Sequence, residues 1–226
     1  MLNNLEKHLV SLDVNKTPYV CYLIKIPLIN SLVERDLLNR LSSQEMGRAK
    51  RISNPRAKFQ FIYGRAVLRE ILRSYLGKDA ILDVGRYGKP FLSNGSLQFN
   101  VSHSNEMLAI ALSNGPPIGV DIEEIKEIPE RGYFNDFSLL PSSFDLDSPQ
   151  CYEKELDGFY LAWSRREAVM KALGLGLAAD TASGIDAEVL KNISILQEII
   201  DASYSFSVAV LAKAYRFTPE IIRLKT

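Results

Sequence analysis

The chain has 226 residues, 46% of them hydrophobic and 24% charged, a globular composition that fits one large domain or two small ones and excludes disordered, collagen-like and coiled-coil classes. Lys and Arg together number 27, as do Asp and Glu, so no global field draws the molecule to nucleic acid or acidic lipid, and any basic site has to be local. Two cysteines, Cys21 and Cys151, are too few and too far apart for a disulfide scaffold or a zinc site, and they read as buried thiols of a reducing cytosol. Residues 1–8 lack the basic start and apolar block of a signal peptide, and the apolar stretch 19–33 is broken by Lys25 and Pro27. The expectation is a soluble cytoplasmic protein.

In chain order, the segment 19–26 is rich in β-branched and aromatic residues and stops at Pro27, which predicts a buried strand. A helix is predicted over 31–41. Ser42 with Glu45 three positions on makes a capping box that starts a second helix, running to residue 52. Ser53-Asn54-Pro55 breaks it, and a long helix is predicted over 56–76, carrying Phe61, Leu68, Leu72 and Tyr75 on one side and stopping at Gly77. The period then becomes that of strands, over 81–84, 97–102 after a turn at 85–90, 107–112 and 118–123. The last two are expected to pair through the turn-forming Asn114-Gly-Pro-Pro117. Residues 126–150, with Pro129, Gly132, Pro141 and Pro149, read as loop. A second long helix is predicted over 151–173, ending at Gly174, and strands near 193–196, 204–211 and 221–224 finish the chain. This order predicts an α+β fold of two pseudo-symmetric lobes, 1–105 and 106–226, each with a long helix packed on a small, mainly antiparallel sheet. No short sequence repeat is visible, so the duplication rests on element order alone.

Asp121 and Glu123 flank Ile122 on a predicted strand, so both carboxylates share one face while Val120 and Ile122 take the other. Such a pair is either a solvated or lysine-paired strand face or part of a divalent-cation site. With no Cys or His nearby, hard oxygen ligands suit Mg²⁺ or Mn²⁺. On the second long helix Trp163, Glu167 and Lys171 share a face, and Arg166 lies beside Glu167. Glu167 is either half of a surface ion pair with Lys171 or, if it meets Asp121 and Glu123 in space, the third carboxylate around one metal; Trp163 reads as core or interface. Between Gly47 and Lys78 lie Arg48, Lys50, Arg51, Arg56, Lys58, Arg65, Arg69, Arg73 and Lys78 against Glu70 alone, and Arg65, Arg69 and Arg73 form a helical stripe. That is a solvated helix face or a phosphate-recognition surface. Gly88 in Tyr87-Gly-Lys-Pro90 permits close backbone approach and presents Lys89, while Phe99-Asn-Val-Ser-His-Ser104 ends a strand with Ser102 and His103 at its tip. A Ser-His nucleophile is a poor reading, since strand neighbours point to opposite faces and no third member is evident.

In order and spacing, Tyr87-Gly-Lys-Pro90, Phe99-Asn-Val-Ser-His-Ser104, Ile118-Gly-Val-Asp-Ile-Glu123 and Trp163-Ser-Arg-Arg-Glu-Ala-Val-Met-Lys171, followed by Gly174-Leu-Gly176, resemble the 4'-phosphopantetheinyl transferases of the surfactin-synthetase-activating type. Leu41-Ser-Ser-Gln-Glu-Met-Gly-Arg-Ala-Lys-Arg51 and Gly64-Arg65 resemble that family's N-terminal helices, so the likeness spans 41–177. Each motif is weak alone; four in sequence are strong. The resemblance implies transfer of the phosphopantetheinyl arm of coenzyme A to a serine of an acyl or peptidyl carrier protein, releasing adenosine 3',5'-bisphosphate, with coenzyme A in a cleft between the lobes. It implies Asp121, Glu123 and Glu167 as Mg²⁺ ligands, Lys89, Ser102 and His103 on coenzyme A, Arg48 and Arg51 at its 3'-phosphate, and Lys171 at the pyrophosphate. Glu167 and Lys171 are then the expected catalytic pair, Glu167 accepting the serine proton directly or through bound water and Lys171 neutralising or protonating the leaving phosphate.

Two departures from the family pattern stand out. Arg166 replaces the usual Lys before the helix glutamate; it keeps charge but cannot donate a proton near neutral pH, which leaves the general-acid assignment to Lys171. The family's acidic residue after its Phe-Ser element is missing, since Phe137-Ser138 leads into Leu139-Leu140-Pro141. Expected partners are therefore coenzyme A and a carrier protein, without nucleic acid or membrane, and a two-lobed chain would complete one site as a monomer. The rival readings are a non-catalytic coenzyme A or nucleotide binding module, which would not need the three acids together, and a nucleic-acid binder, against which neutral net charge argues.

Overall fold

A computed structural model describes residues 18–86, 88–95, 97–127, 155–175, 191–212 and 219–224. Strand β1 (Tyr19–Lys25) is buried on both faces, as its unbroken run of apolar residues requires. It is followed by α1 (Ser31–Leu38), α2 (Ser43–Arg51) and α3 (Pro55–Leu76). Each start has a local cause. The Asn30 side chain accepts from Leu32 N, Ser42 and Glu45 form the expected reciprocal box, and Asn54 caps α3 with Pro55 in its first turn. Gly77, at φ 66°, ends α3 in the left-handed region. Helix α1 is shorter than predicted: Arg40 and Leu41 fold into tight turns onto Leu37 O and Leu38 O, and Arg40 reaches Glu70 at 2.7 Å.

Strands β2 (Leu82–Val84) and β3 (Pro90–Leu92) form a small antiparallel ribbon. The sequence shows only a turn where β3 lies, because three residues opening on proline carry no alternation. β4 (Gln98–Ser104) and β5 (Met107–Ser113) form the next hairpin, with Asn105 at its turn at φ 46°. β6 (Ile118–Glu124), α4 (Glu155–Leu173), β7 (Ser194–Ile200), β8 (Tyr204–Val210) and β9 (Glu220–Leu224) follow.

The strands sort into a four-stranded sheet of order β4-β5-β1-β9, in which β9 runs parallel to β1, and an antiparallel three-stranded sheet of order β6-β8-β7. The expected β5–β6 hairpin does not form. β5 pairs with β1 and β4 while β6 pairs with β8, so Asn114–Pro117 carries the chain from one sheet to the other. Proline pairs favour turns without requiring that the strands on either side bond to each other. Two strands beyond residue 105, β5 and β9, complete the first sheet, so the division at 105 and 106 does not coincide with a boundary between sheets.

The layers run helix, sheet, sheet, helix. Val20, Tyr22 and Ile24 of β1 pack with Phe59, Ile62, Tyr63, Val67 and Ile71 of α3, whereas Cys21 and Leu23 pack with Ile118, Val120, Ile122, Phe206 and Val208 of the second sheet. Each buried Val, Leu, Ile or Phe among them contributes about 1.5–3 kcal/mol. Cys21 is thus the buried thiol expected of it, and burial pushes its pKa up. On the outer side of the second sheet lies α4, with Ala168, Val169 and Ala172 against Ala209. Among the described residues no helix is long and apolar enough to cross a membrane. Tyr87, Cys151, the Phe137-Ser138 element, most of the predicted 126–150 loop, the start of the second long helix, and Gly176 with Leu177 lie outside the described residues.

Candidate active site

Alternation along β6 decides what α4 faces. Val120 and Ile122 go to the inter-sheet core, which leaves Gly119, Asp121 and Glu123 on the side of α4. Helix and strand touch at Gly119: a Cβ there would lie 2.0 Å from Ala168 O and 2.4 Å from Ala172 N. That close approach brings one side of α4 onto Asp121. Lys171 Nζ lies 2.5 Å from Asp121 Oδ1 and 3.1 Å from Ser102 Oγ, and Asp121 is 2% exposed.

β6 is the edge of its sheet, and side chains of β4 stand in for the missing strand. Asn100 Oδ1 accepts from Val120 N at 3.0 Å, Ser102 Oγ donates to Asp121 Oδ1 at 2.8 Å, and Ser104 Oγ donates to Glu123 Oε2 at 3.0 Å while accepting from Glu124 N. These three residues are two apart and project toward one strand, which joins the sheets through a polar seam. Asn105 clamps the end of the seam: it accepts from Arg56 and, through its carbonyl, from Gln60, and donates to Glu124 Oε1.

The three acids interact. Burial raises the pKa of Asp121, against the pull of Lys171 and the hydrogen bond from Ser102. Burial, then the charge of Asp121, raises Glu123, and Glu167 adds to that rise. Burial and Asp121 raise Glu167 too, opposed by Lys171 and by Arg166, whose guanidinium lies 3.4 Å from Glu167 Oε1. Strand and helix acids thus share one electrostatic environment. No group of three His, Cys, Asp or Glu side chains among the described residues stands ready to hold a metal ion. The donors nonetheless fit a hard divalent cation. All three are carboxylates, they repel one another, and the buried Asp121 Oδ2 finds no hydrogen-bond partner among the described residues.

Beside the acids opens a cleft of about 280 Å³, lined by Arg48, Phe61, Arg65, Lys89, His103, Glu167 and Lys171 among others. An adjoining hollow of about 420 Å³ shares Arg48, Phe61, Arg65, Gly88 and Pro90 and adds Arg51 and the capping residues Ser42 and Glu45. The guanidinium carbons of Arg48 and Arg65 lie 5.2 and 5.4 Å from the Phe61 ring centroid, so one aromatic ring meets two cations at the junction. Burial, partly offset by Glu45 and reinforced by Arg48 and Arg69, lowers Arg65 to about 10, still charged at neutral pH. His103 stands at the mouth between Arg65 and Lys171, where partial loss of solvation and then the charge of Lys171 hold its pKa below the ordinary imidazole value. A neutral imidazole there offers both a donor and an acceptor.

Of the residues singled out from sequence, Arg48, Lys89, His103, Glu167 and Lys171 line the cleft, Arg51 lines the adjoining hollow, and Asp121, Glu123 and Ser102 meet in the seam behind them. Ser102, expected on coenzyme A, is 8% exposed and turned to Asp121. Lys89 lines the cleft, but its ammonium donates to Lys171 O at 2.6 Å and Ile118 O at 3.3 Å, capping the end of α4 from across the molecule. Trp163, 38% exposed, stacks on Phe159. The arginine stripe is divided: Arg69 pairs with Glu45 at 2.7 Å and Arg73 lies near Glu70 and Asp79, which leaves Arg65 to face the cleft. Phe61, Gln60 and Asn100 are not among the expected site residues, and Arg65 enters the expectation only as one member of the arginine stripe. The helical spacing of Phe61 and Arg65 on one α3 face was the available signal.

The model of the 4'-phosphopantetheinyl transferase superfamily matches residues 117–218. The 4'-phosphopantetheinyl transferase HetI of Nostoc sp. is 32% identical over 151 residues, 64% of each chain. The 4'-phosphopantetheinyl transferase gsp of Aneurinibacillus migulanus is 28% identical over 166 residues, 68% of this chain and 65% of that one. The 4'-phosphopantetheinyl transferase ffp of Bacillus subtilis is 30% identical over 156 residues, 67% of this chain and 68% of its own. The chain thus spans just under two thirds of the length of the first two, 64% and 65%.

Proposed function

The chain belongs to the 4'-phosphopantetheinyl transferase superfamily, and from that premise we propose that it transfers the 4'-phosphopantetheine arm of coenzyme A to a serine of an acyl or peptidyl carrier protein, releasing adenosine 3',5'-bisphosphate. The observation that carries the reading is the convergence of buried Asp121 and Glu167 with half-buried Glu123, from β6 and α4, beside a cation-lined cleft. The coenzyme offers that cleft a diphosphate and a separate 3'-phosphate. Arg48 and Arg65, with Arg51 in the adjoining hollow, suit the 3'-phosphate, since guanidinium forks match phosphate oxygens. His103 and Lys89 suit contacts along the coenzyme, and Ser102 acts through Asp121 and Lys171.

Asp121, Glu123 and Glu167 would hold Mg²⁺, or Mn²⁺, as hard oxygen donors. When bound, that ion supplies Lewis-acid stabilisation of the diphosphate oxygens. In the transfer, the carrier serine Oγ forms a bond to the β-phosphorus of coenzyme A while the diphosphate P–O bond to the leaving bisphosphate breaks. Glu167 accepts the serine proton; its raised pKa makes it a better base than an ordinary surface carboxylate. Lys171 neutralises the departing phosphate oxygen, and Arg166 clamps without giving up a proton. The same reading takes the molecule as two pseudo-symmetric lobes, one built on α3 and one on α4, working as a cytoplasmic monomer. Which carrier accepts the arm depends on a docking shape that the cleft residues do not define.

The test is intact-mass measurement of several apo carrier proteins after incubation with this protein, coenzyme A and Mg²⁺. A phosphopantetheine increment on one carrier is expected. Coenzyme A binding with no increment on any of a broad carrier panel would replace the transferase with a binding module.

A further inference from the structure

We propose that Lys171 is the resident counter-cation of the acid site, and that a divalent cation arriving at Asp121 displaces its ammonium into the cleft, onto the diphosphate. This rests on the Mg²⁺ reading above and adds a coupling between the metal and the lysine. A carboxylate as buried as Asp121 needs a partner charge, and the partner present is Lys171 Nζ at 2.5 Å from Oδ1. One ammonium does not satisfy the site. From β6 comes Glu123, from α4 come Glu167 and Arg166, and from β4 come the hydroxyls of Ser102 and Ser104, with the His103 imidazole near Lys171 on the cleft side. Lys171 and Arg166 thus face three carboxylates, and Asp121 Oδ2 stays buried without a hydrogen bond. A divalent ion at Oδ2 answers that deficit, but an ammonium still held on Oδ1 of the same carboxylate would lie close beside it, and like charges that close repel.

The lysine has somewhere to go. Its side chain is 28% exposed and lines the same cleft as His103, Arg65 and Arg48, so the ammonium borders the acids on one side and the space for a polyanion on the other. A hydrated point charge on four rotatable carbons suits such a shift, which a planar guanidinium would not. The metal's arrival and the availability of Lys171 for the leaving group are then one event. Without the ion, Lys171 stays held on Asp121 and Ser102.

The test is a Mn²⁺ titration of the full chain followed by the EPR signal of free Mn²⁺, comparing wild type with Lys171→Met, which keeps stem length and removes charge. Lys171→Met is expected to bind Mn²⁺ about tenfold more tightly, the factor by which a competitor occupying the site about nine-tenths of the time lowers apparent affinity. Saturable binding of equal or lower affinity in the variant overturns the lysine proposal and leaves the metal reading intact. No saturable binding by either chain removes both. A second measurement uses wild type alone: limited amine acetylation read by peptide mass spectrometry, with Lys78 as an exposed reference. Lys171 is expected to react faster with Mn²⁺ than without it; an unchanged or slower rate overturns the proposal even if Lys171→Met fails to fold.

Discussion

Glu167 shows how a side chain's surroundings set its chemistry. Burial and the neighbouring Asp121 push its pKa up, so replacing it with a neutral isostere removes repulsion as well as the proposed base. Glu167→Gln is therefore expected to lower turnover by roughly 10² or more, about 2.7 kcal/mol of barrier, with a melting temperature equal to or above that of wild type. An unchanged rate would take Glu167 out of the chemistry, and a lowered melting temperature would recast it as structural. Lys89 carries the pH expectation. Burial lowers it from 10.5 to about 8, so the ammonium proposed to contact the coenzyme is present below about pH 8 and lost above it. The value of kcat/KM for coenzyme A should then fall as pH rises through about 8, and Lys89→Arg should move that fall to higher pH. For stability the sign is opposite: the unfolded chain holds this proton more tightly, so the contribution of Lys89 to folding improves between about pH 8 and 10.5. A flat pH profile that Lys89→Arg leaves unaltered would deny Lys89 a role as a phosphate-facing cation.

The decisive pair of elements is β6 and α4. Their residues were legible as two separate motifs because strand and helix periods show which side chains share a face. The seam with β4 was not legible, since Asn100, Ser102 and Ser104 look like any polar strand face until β6 proves to be a sheet edge in need of partners. The helix is held against the strand by the missing side chain of Gly119 and closed by Gly174 at φ 73°, where Gly174 N and Leu175 N return to Lys171 O and Met170 O. Gly119→Ala would push a methyl group into backbone of α4, which cannot yield as a side-chain tip can. The expected cost is about 1–3 kcal/mol of stability. Because Glu167 rides on the displaced helix, the variant should also lose activity at temperatures where it remains folded. Circular-dichroism melting and a rate assay together test this; a wild-type profile in both would mean the two elements are free to move apart.

At the scale of the molecule, the strands do not respect the division that element order suggests. β5 lies between β4 and β1, and β9 joins β1 from the far end of the chain, so the first sheet is finished by residues beyond 105. Fragments 1–105 and 106–226 should accordingly show no cooperative melt alone and regain one when produced together. A cooperative transition in the isolated first fragment would show that β1 and β4 hold without β5 between them. The sequence by itself determined all but one of the described element types, most of their bounds, the helix ends at Ser42, Gly77 and Gly174 and the identity of the charged side chains, because propensity, periodicity and capping act over a few residues. Only the tertiary structure decided that β5 and β6 part company, that Arg65 rather than Arg69 or Arg73 faces the cleft, and that Lys171 sits on Asp121. Those outcomes depend on strand pairing and charge pairing between segments far apart in the chain, where the partner is chosen by whichever group folding brings within reach.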